Sequence, residues 1–227
     1  MQGVIIFDSS TLISLSMNGL LEELGKLKKI FDGKFIITND VKKEVVDNPI
    51  NVKRFELEAL RVMRLMRDGV IEMPDSLGIK SHEIEERKRK MMEIANNMFL
   101  GNKKSIHLIH DGEASCLALS RILLEKKIPH IIAIDERTTR MLGEKPENLK
   151  ELLTKKLSTN VQLQRKDFKY FRGFRFIRST ELMYIAWKKG LLGLQDGKTV
   201  LDAVLWALKF KGCAISGDEI QEIKAIK

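Results

Sequence analysis

Four acidic residues that lie far apart in the sequence occur at positions from which their carboxylates could meet. Asp8 and Asp135 each directly follow a short apolar run that is typical of a buried strand, and Glu44 and Glu113 occur in the first turns of two helix-like segments. Carboxylates held close together repel one another and are stabilised by a bound cation. A ligand set made only of oxygen favours Mg²⁺ or Mn²⁺ over Zn²⁺. These four acids are therefore candidate metal ligands and catalytic residues.

The segments that carry these acids alternate between strand-like and helix-like patterns. Strands are predicted at Val4–Phe7, Phe35–Thr38, Gly69–Met73 and His130–Ile134. Helices are predicted at Leu12–Leu27, from Asn39 to Asn48, and at Phe55–Met66, Ser81–Leu100 and Glu113–Leu124. This alternation predicts an α/β fold in three layers (α/β/α), with a parallel central sheet and helices on both faces. Strand ends and the N-termini of crossover helices meet at the carboxyl edge of such a sheet, so all four acids are expected there.

Each acid has a simpler explanation when it is considered alone. Asp8 and Asp135 could cap helices, and Glu113 could complement a helix dipole. Glu44 is harder to explain in this way, because it shares a helical stripe with Val41 and Val45, and an unpaired buried carboxylate is costly. The joint pattern therefore favours one shared site over four separate structural roles.

The composition is that of a folded protein with an anionic partner. The chain has 227 residues, of which 44% are hydrophobic and 31% charged, and its formal net charge of +9 favours nucleic acid as the partner. Its apolar runs are too short to cross a bilayer and its N-terminus lacks a basic leader, so a cytoplasmic location without membrane association is expected. The two cysteines and four histidines show no zinc-ligand spacing, which argues against a zinc enzyme.

Four short motifs around the acids resemble the PIN domain in its prokaryotic forms. They are Ile6-Phe7-Asp8-Ser9-Ser10, the Val41–Val46 segment that contains Glu44, Gly112-Glu113-Ala114 and Ile134-Asp135-Glu136. The order and spacing of the acids agree over residues 3–142, and Phe174–Leu182 is similar to the family's last strand and following turn. The chain departs from the common pattern at Glu113, where many members have Asp, and at Ala133, where many have Ser or Thr.

The resemblance implies a metal-dependent ribonuclease that cleaves phosphodiester bonds of single-stranded or structured RNA. PIN domains include toxins of toxin–antitoxin modules and RNA-processing enzymes, so RNA and a protein inhibitor are the implied partners, and Mg²⁺ or Mn²⁺ is the implied cofactor. The implied metal ligands are Asp8, Glu44, Glu113 and Asp135, with Ser9 and Glu136 as secondary candidates. The alternative is a non-catalytic RNA-binding module that retains the fold.

The rest of the chain is expected to extend this domain. Residues 1–185 are predicted to form the PIN-like domain, with insertions near 74–104 and 143–172, and residues 186–227 are predicted to form a C-terminal helical extension. Trp187 and Trp206 lie in helical segments with wide apolar faces, which leaves a homodimer contact open.

Two acids of the C-terminal segment compete for roles in the site. Asp202 and Asp218 occur in short motifs that are also similar to the third and fourth acidic motifs of a PIN domain. Glu113 and Asp135 are preferred, because Glu113 lies at the start of a predicted helix and Asp135 at the end of a predicted strand, in the expected βα order.

A basic and aromatic segment between positions 165 and 178 is the predicted RNA contact. Its basic residues are Arg165, Lys166, Lys169, Arg172, Arg175 and Arg178. Single-stranded nucleic acid is held by cations that follow the phosphates and by rings that stack on bases. In the alternative, Phe174 and Phe176 point into the core while the arginines face water. The run Arg87–Lys90 is predicted to be a solvated helix face, with a phosphate-contacting arm or a dimer helix as its alternatives.

Overall fold

The central element of the fold is a four-stranded parallel sheet. The computed structural model of the chain describes residues 3–193 and 197–226. Within these ranges the strands are β1 (Gly3–Phe7), β2 (Gly33–Ile36), β3 (Phe99–Gly101), β4 (Lys104–Ser105), β5 (His130–Ala133), β6 (Val161–Leu163) and β7 (Phe176–Ile177). The central sheet has the order β2-β1-β5-β7, and each of its strand pairs is parallel. The predicted parallel sheet is confirmed.

Helices cover both faces of this sheet. They are α1 (Ser9–Met17), α2 (Leu21–Ile30), α3 (Asn39–Lys42), α4 (Glu56–Arg67), α5 (Ser81–Ala95), α6 (Asp111–Glu125), α7 (Arg137–Glu144), α8 (Leu149–Leu157), α9 (Ser179–Lys188), α10 (Gly197–Phe210) and α11 (Gly217–Ala225). Because β1 lies between β2 and β5, right-handed crossovers to its two neighbours place their helices on opposite faces. α6 packs with α3 and α5, whereas α1 packs with α2, α4 and α9. The three-layer α/β/α prediction is confirmed.

The two predicted insertions meet in a small antiparallel sheet that the sequence patterns did not indicate. β3 from the first insertion pairs with β4 and with β6 from the second insertion. The prediction of one helix over Ser81–Leu100 is therefore wrong at its end, since α5 ends at Ala95. The side chain of Asn96 accepts hydrogen bonds there from the N–H groups of Leu108 and Ile109. These bonds hold the segment that leads into α6.

Two other predicted boundaries are corrected by the structure. The segment Leu12–Leu27 was predicted as one helix, but α1 ends at Met17 and α2 begins at Leu21. Gly19 lies between them with φ +71°, a left-handed conformation that glycine adopts without strain. The predicted strand at Gly69–Met73 is reduced to an isolated parallel bridge between Ile36 and Glu72.

The C-terminal helices share one core with the rest of the chain. α10 packs against α9 and α11, and buried residues on both sides of position 185, such as Ile6 and Leu205, belong to the same hydrophobic cluster. Residues 186–227, predicted as a C-terminal helical extension, contain the end of α9 together with α10 and α11. No helix among the described residues combines the length and apolar character that a bilayer span requires.

Candidate active site

The side chain of Asp8 is buried at the carboxyl end of β1. Its Oδ2 accepts hydrogen bonds from the N–H (3.0 Å) and the hydroxyl (2.5 Å) of Ser10, so Asp8 caps α1. Its Oδ1 is also buried, and no hydrogen-bond donor among the described residues reaches it. Burial raises the pKa of Asp8 to about 6 against the effect of the Ser10 hydrogen bonds, and the charge of Glu44 adds to the rise. The unpaired oxygen is a donor that a cation can use.

Glu44 is carried by a π-helical turn. The helix that begins as α3 widens over Lys43–Asp47, where the N–H of Asn48 donates to the carbonyl of Lys43 (2.9 Å). Such turns are rare and frequently occur at functional sites. The half-buried Glu44 reaches the first turn of α6, where its Oε1 accepts a hydrogen bond from the Gly112 N–H (3.2 Å). A Cβ atom on Gly112 would lie 2.5 Å from Glu44 Oε2, so this close approach requires glycine.

Glu113 lies beside these residues in the first turn of α6. Its Oε2 accepts a hydrogen bond from the His110 N–H (2.6 Å), as a glutamate at this helix position commonly does. Burial is the main reason that the pKa of Glu113 is raised to about 8, and the charges of Asp8, Glu136 and Glu44 add to the rise against the His110 hydrogen bond. Four carboxylates therefore interact electrostatically at the carboxyl edge of the sheet.

Asp135 and Glu136 are adjacent in the sequence but have different surroundings. Asp135 is fully buried, and its two carboxylate oxygens accept hydrogen bonds from the N–H (2.8 Å) and the hydroxyl (2.7 Å) of Ser179. Glu136 is half-buried and caps α7 by accepting a hydrogen bond from the Thr139 N–H (2.7 Å). The charge of Glu136 contributes to the raised pKa of Glu113. The structure thus brings the secondary candidate Glu136 to the other acids, while Asp135 holds the start of α9.

Ser10 positions two of the acids, although it was not among the candidates. Its hydroxyl donates to Asp8 Oδ2 and accepts a hydrogen bond from the Asp135 N–H (3.0 Å). This serine therefore joins the ends of β1 and β5. Its place two residues after Asp8 is the signal that could have identified it, whereas the candidate Ser9 is the half-buried first residue of α1.

Lys88 is a second positioning residue, and it corrects the prediction of a fully solvated face at Arg87–Lys90. Its buried Nζ forms ion pairs with Asp40 (2.9 Å), Glu85 (2.8 Å) and Asp111 (3.0 Å). Hydrogen bonds to these carboxylates outweigh burial and raise the pKa of Lys88. Asp40 and Asp111 lie in the first turns of α3 and α6. Lys88 therefore ties together the helical segments that carry Glu44 and Glu113.

The chemistry of the four interacting carboxylates fits a hard divalent cation. Their donor atoms are all oxygen, Asp8 has an unpaired buried oxygen, and a cation would offset the burial and the repulsion that together raise the pKa of Glu113. Among residues 3–193 and 197–226, no three His, Cys, Asp or Glu side chains converge closely enough to form a finished metal site. The carboxylates would therefore have to move closer together around an ion.

The competing C-terminal residues have other surroundings. Asp202 forms an ion pair with Lys224 of α11, and Asp218 lies in the first turn of α11. Trp187 and Trp206 are half-buried and pack against the hydrophobic core. Neither aspartate is among the charges that act on Asp8 or Glu113 most strongly.

The predicted RNA-contacting segment divides into exposed and buried parts. The exposed basic residues are Arg165, Lys166, Lys169, Arg172 and Arg175. The prediction for Arg178 is corrected, because its buried guanidinium donates hydrogen bonds to Glu181 and Glu219. Phe171 and Phe174 are buried in the hydrophobic core. These two phenylalanine side chains therefore point into the protein, whereas most of the basic side chains of the segment face solvent.

Comparisons of the chain with models of protein families, with curated proteins and with solved structures gave no match. Function is therefore inferred from the residues and their geometry.

Proposed function

We propose that this chain is a metal-dependent endoribonuclease with a PIN-like active site at the carboxyl edge of its parallel sheet. The observation that carries the proposal is the buried Asp8 Oδ1, which has no hydrogen-bond donor among the described residues, at the edge where hydrogen bonds fix the carboxylates of Glu44, Glu113 and Glu136. Carboxylates are costly to hold together without a cation. The carboxyl edge of an open parallel sheet is also where α/β proteins usually bind their ligands.

The chain's own residues would hold Mg²⁺ or Mn²⁺ through these carboxylates. Ser10 orients Asp8, and the backbone N–H groups of Gly112 and His110 orient Glu44 and Glu113, in the way that supporting hydrogen bonds orient metal ligands. When bound, a divalent cation activates water and stabilises negative charge on a phosphodiester. Asp8 and Glu113 hold protons up to about pH 6 and pH 8, so cation binding would release protons.

RNA is the substrate class that the charge and the resemblance support. The net charge of +9 favours a polyanion, and the acidic motifs resemble those of a family whose members are mostly ribonucleases. Exposed cations of the segment 165–175 offer contacts for phosphates.

The first experiment measures cleavage of 5′-labelled single-stranded RNA with Mn²⁺. Asp8→Asn and Glu136→Gln should lower the cleavage rate about a hundredfold or more, because each removes a charged ligand. Asp135→Asn should retain most of the activity of the folded protein, since the amide can still accept a hydrogen bond from Ser179. The matched control is Asp202→Asn, an aspartate paired with Lys224 away from the proposed site.

Three outcomes separate the proposals. Unchanged cleavage by Asp8→Asn would refute the active site. If Asp135→Asn lost most of the cleavage activity and Glu136→Gln kept it, Asp135 would be the fourth metal ligand instead of Glu136. The absence of a finished metal site among the described residues favours a second candidate, an RNA-binding module without turnover. Salt-dependent RNA binding without Mn²⁺-dependent cleavage would select that candidate.

A further inference from the structure

A basic groove lies between α5 and α6, away from the acidic residues. It has a volume of about 450 Å³, and its cationic lining residues are Arg87, Lys90, Arg121 and Lys169. Met91 and Ile94 of α5 form an apolar part of its wall. We call this recess the α5–α6 groove.

Arg121 joins the groove to the basic segment predicted to contact RNA. Its Nη2 donates hydrogen bonds to the carbonyls of Tyr170 (2.7 Å) and Arg172 (3.2 Å), and its guanidinium lies 4.8 Å from the centre of the Phe174 ring. These contacts hold the turn Phe168–Phe171 against α6. The turn thereby brings Lys169 and Tyr170 to the groove.

Tyr170 is an exposed residue with the ammonium groups of two flexible lysines over its ring. Its ring centre lies 5.8 Å from Lys90 Nζ and 5.5 Å from Lys169 Nζ, and 38% of the residue is exposed. A ring of this kind next to flexible lysines is the combination that binds a base by stacking and its phosphates by charge.

The charge of the groove is strongly one-sided. Four cationic side chains line it against a single acid, Glu125, which is already paired with Arg87 (2.7 Å). A second recess of about 350 Å³ at the C-terminal end of α6 adds Lys127 and Arg175 without an acidic lining residue. Cations near a helix C-terminus also complement the helix dipole, but that effect does not require an exposed ring or a recess.

We propose that the α5–α6 groove binds single-stranded RNA, with phosphates at Lys90 and Lys169 and a base stacked on Tyr170. The proposal rests on the proposed function for the identity of its nucleic acid. Single-stranded RNA is favoured over a duplex because an exposed ring can stack only on a base that is free of its neighbours. Arg121 follows Glu113 by eight residues of one helix, which is about 12 Å along its axis. RNA that reaches from the groove to the acids would have to extend at least this far along α6.

The test measures binding of a fluorescent single-stranded RNA by anisotropy in EDTA, so that no cleavage occurs. The variant Lys90→Gln/Lys169→Gln should bind about tenfold more weakly, and the slope of log K against log salt should fall by about 1.4, or about 0.7 for each lost phosphate contact. The control Lys53→Gln/Lys155→Gln removes the same charge from two exposed lysines elsewhere and should keep the wild-type slope.

The aromatic contact has its own pair of variants. Tyr170→Leu should weaken binding about tenfold, and Tyr170→Phe should bind as the wild type does, because phenylalanine still stacks. The proposal would be overturned if the lysine variant bound RNA as the wild type does, or if its control were weakened equally. It would also be overturned if duplex DNA competed as strongly as the single-stranded RNA. Cleavage is a separate readout. If the groove variants bind RNA as the wild type does and the wild type cleaves RNA, only the groove proposal is refuted. If the groove variants bind RNA more weakly and the wild type does not cleave it, only the nuclease proposal is refuted.

Discussion

Glu113 couples the folding free energy of this chain to pH. Its pKa is raised from 4.5 to about 8, mainly by burial and then by the charge of Asp8 and its neighbours. The folded state therefore binds this proton more tightly than the unfolded state does. The resulting stabilisation is full below about pH 4.5 and is lost as the pH rises through about 8.

We expect the melting temperature without divalent cation to fall by several degrees between about pH 6.5 and pH 8.5. Saturating Mg²⁺ should reverse the fall, because it favours the ionised carboxylates. Glu113→Gln should remove most of the pH dependence, since the amide still accepts a hydrogen bond from His110 without ionising. Thermal unfolding across this pH range measures the effect. The control Glu151→Gln, an exposed change on α8, should follow the wild type, and a Glu113→Gln profile equal to that of the wild type would contradict the prediction.

The residues of the site could be predicted from the sequence only in part. Asp8, Glu44 and Glu113 are recognisable because each follows a strand or opens a helix with its own pattern. Asp135 and Glu136 follow the same strand, and nothing local separates their roles. Ser179, which binds both oxygens of Asp135, lies 44 residues further along the chain. The choice between the two acids therefore depends on a tertiary contact.

At the scale of elements, one buried cation, Lys88, adds ion pairs from α5 to α3 and α6 to the apolar packing of these helices. Lys88→Met should lower the free energy of unfolding by about 2–3 kcal/mol, because the largely buried Asp40 loses its closer ion pair and keeps the longer one to the exposed Lys43 (3.4 Å). The value is below that for a fully buried pair, since Glu85 and Asp111 are about half-exposed. Urea unfolding at neutral pH measures the change.

The neighbouring exposed residue provides the control for Lys88. Arg89→Gln on the same helix should change the free energy of unfolding by less than about 0.5 kcal/mol. Equal stability of the two variants would show that the buried ion pairs do not hold α5 in place.

Elements with a strong local pattern were predicted well, and elements that depend on partners were not. β1, β5 and α6 each carry a clear apolar pattern and are present as predicted. The end of α5 was misplaced because its apolar spacing continues through Met98, whereas Asn96 turns to the segment before α6. The π-helical turn at Glu44 could not be predicted either, because the spacing of Val41 and Val45 fits an ordinary α-helix equally well.

For the whole molecule, Arg178 links the central sheet to the C-terminal helices. It directly follows β7, and its guanidinium donates hydrogen bonds to Glu181 of α9 and Glu219 of α11. The hydrogen bonds from Ser216 and Arg178 outweigh burial and lower the pKa of Glu219 to about 2. This carboxylate thus stabilises the fold above about pH 4.5, and its contribution is lost as the pH falls through about 2.

Arg178→Met should therefore destabilise the folded chain by about 2 kcal/mol at neutral pH, as expected for hydrogen bonds between charged and largely buried groups. The difference from the wild type should shrink as the pH is lowered toward about 2. Urea unfolding at both pH values tests this. Lys224→Met breaks the more exposed ion pair with Asp202 and should cost less than about 1 kcal/mol. A constant difference across the pH range would disprove the role of Glu219.

The pairing of β3 with β6 has a consequence for how this chain can change in length. The two strands lie in the two predicted insertions and are separated by about 60 residues in sequence, yet each supplies hydrogen-bond partners to the other. Loss of either segment in a relative would leave an open strand edge, which favours unwanted pairing between molecules. The two segments are thus expected to be inherited together, so a homologue that has one should also have the other.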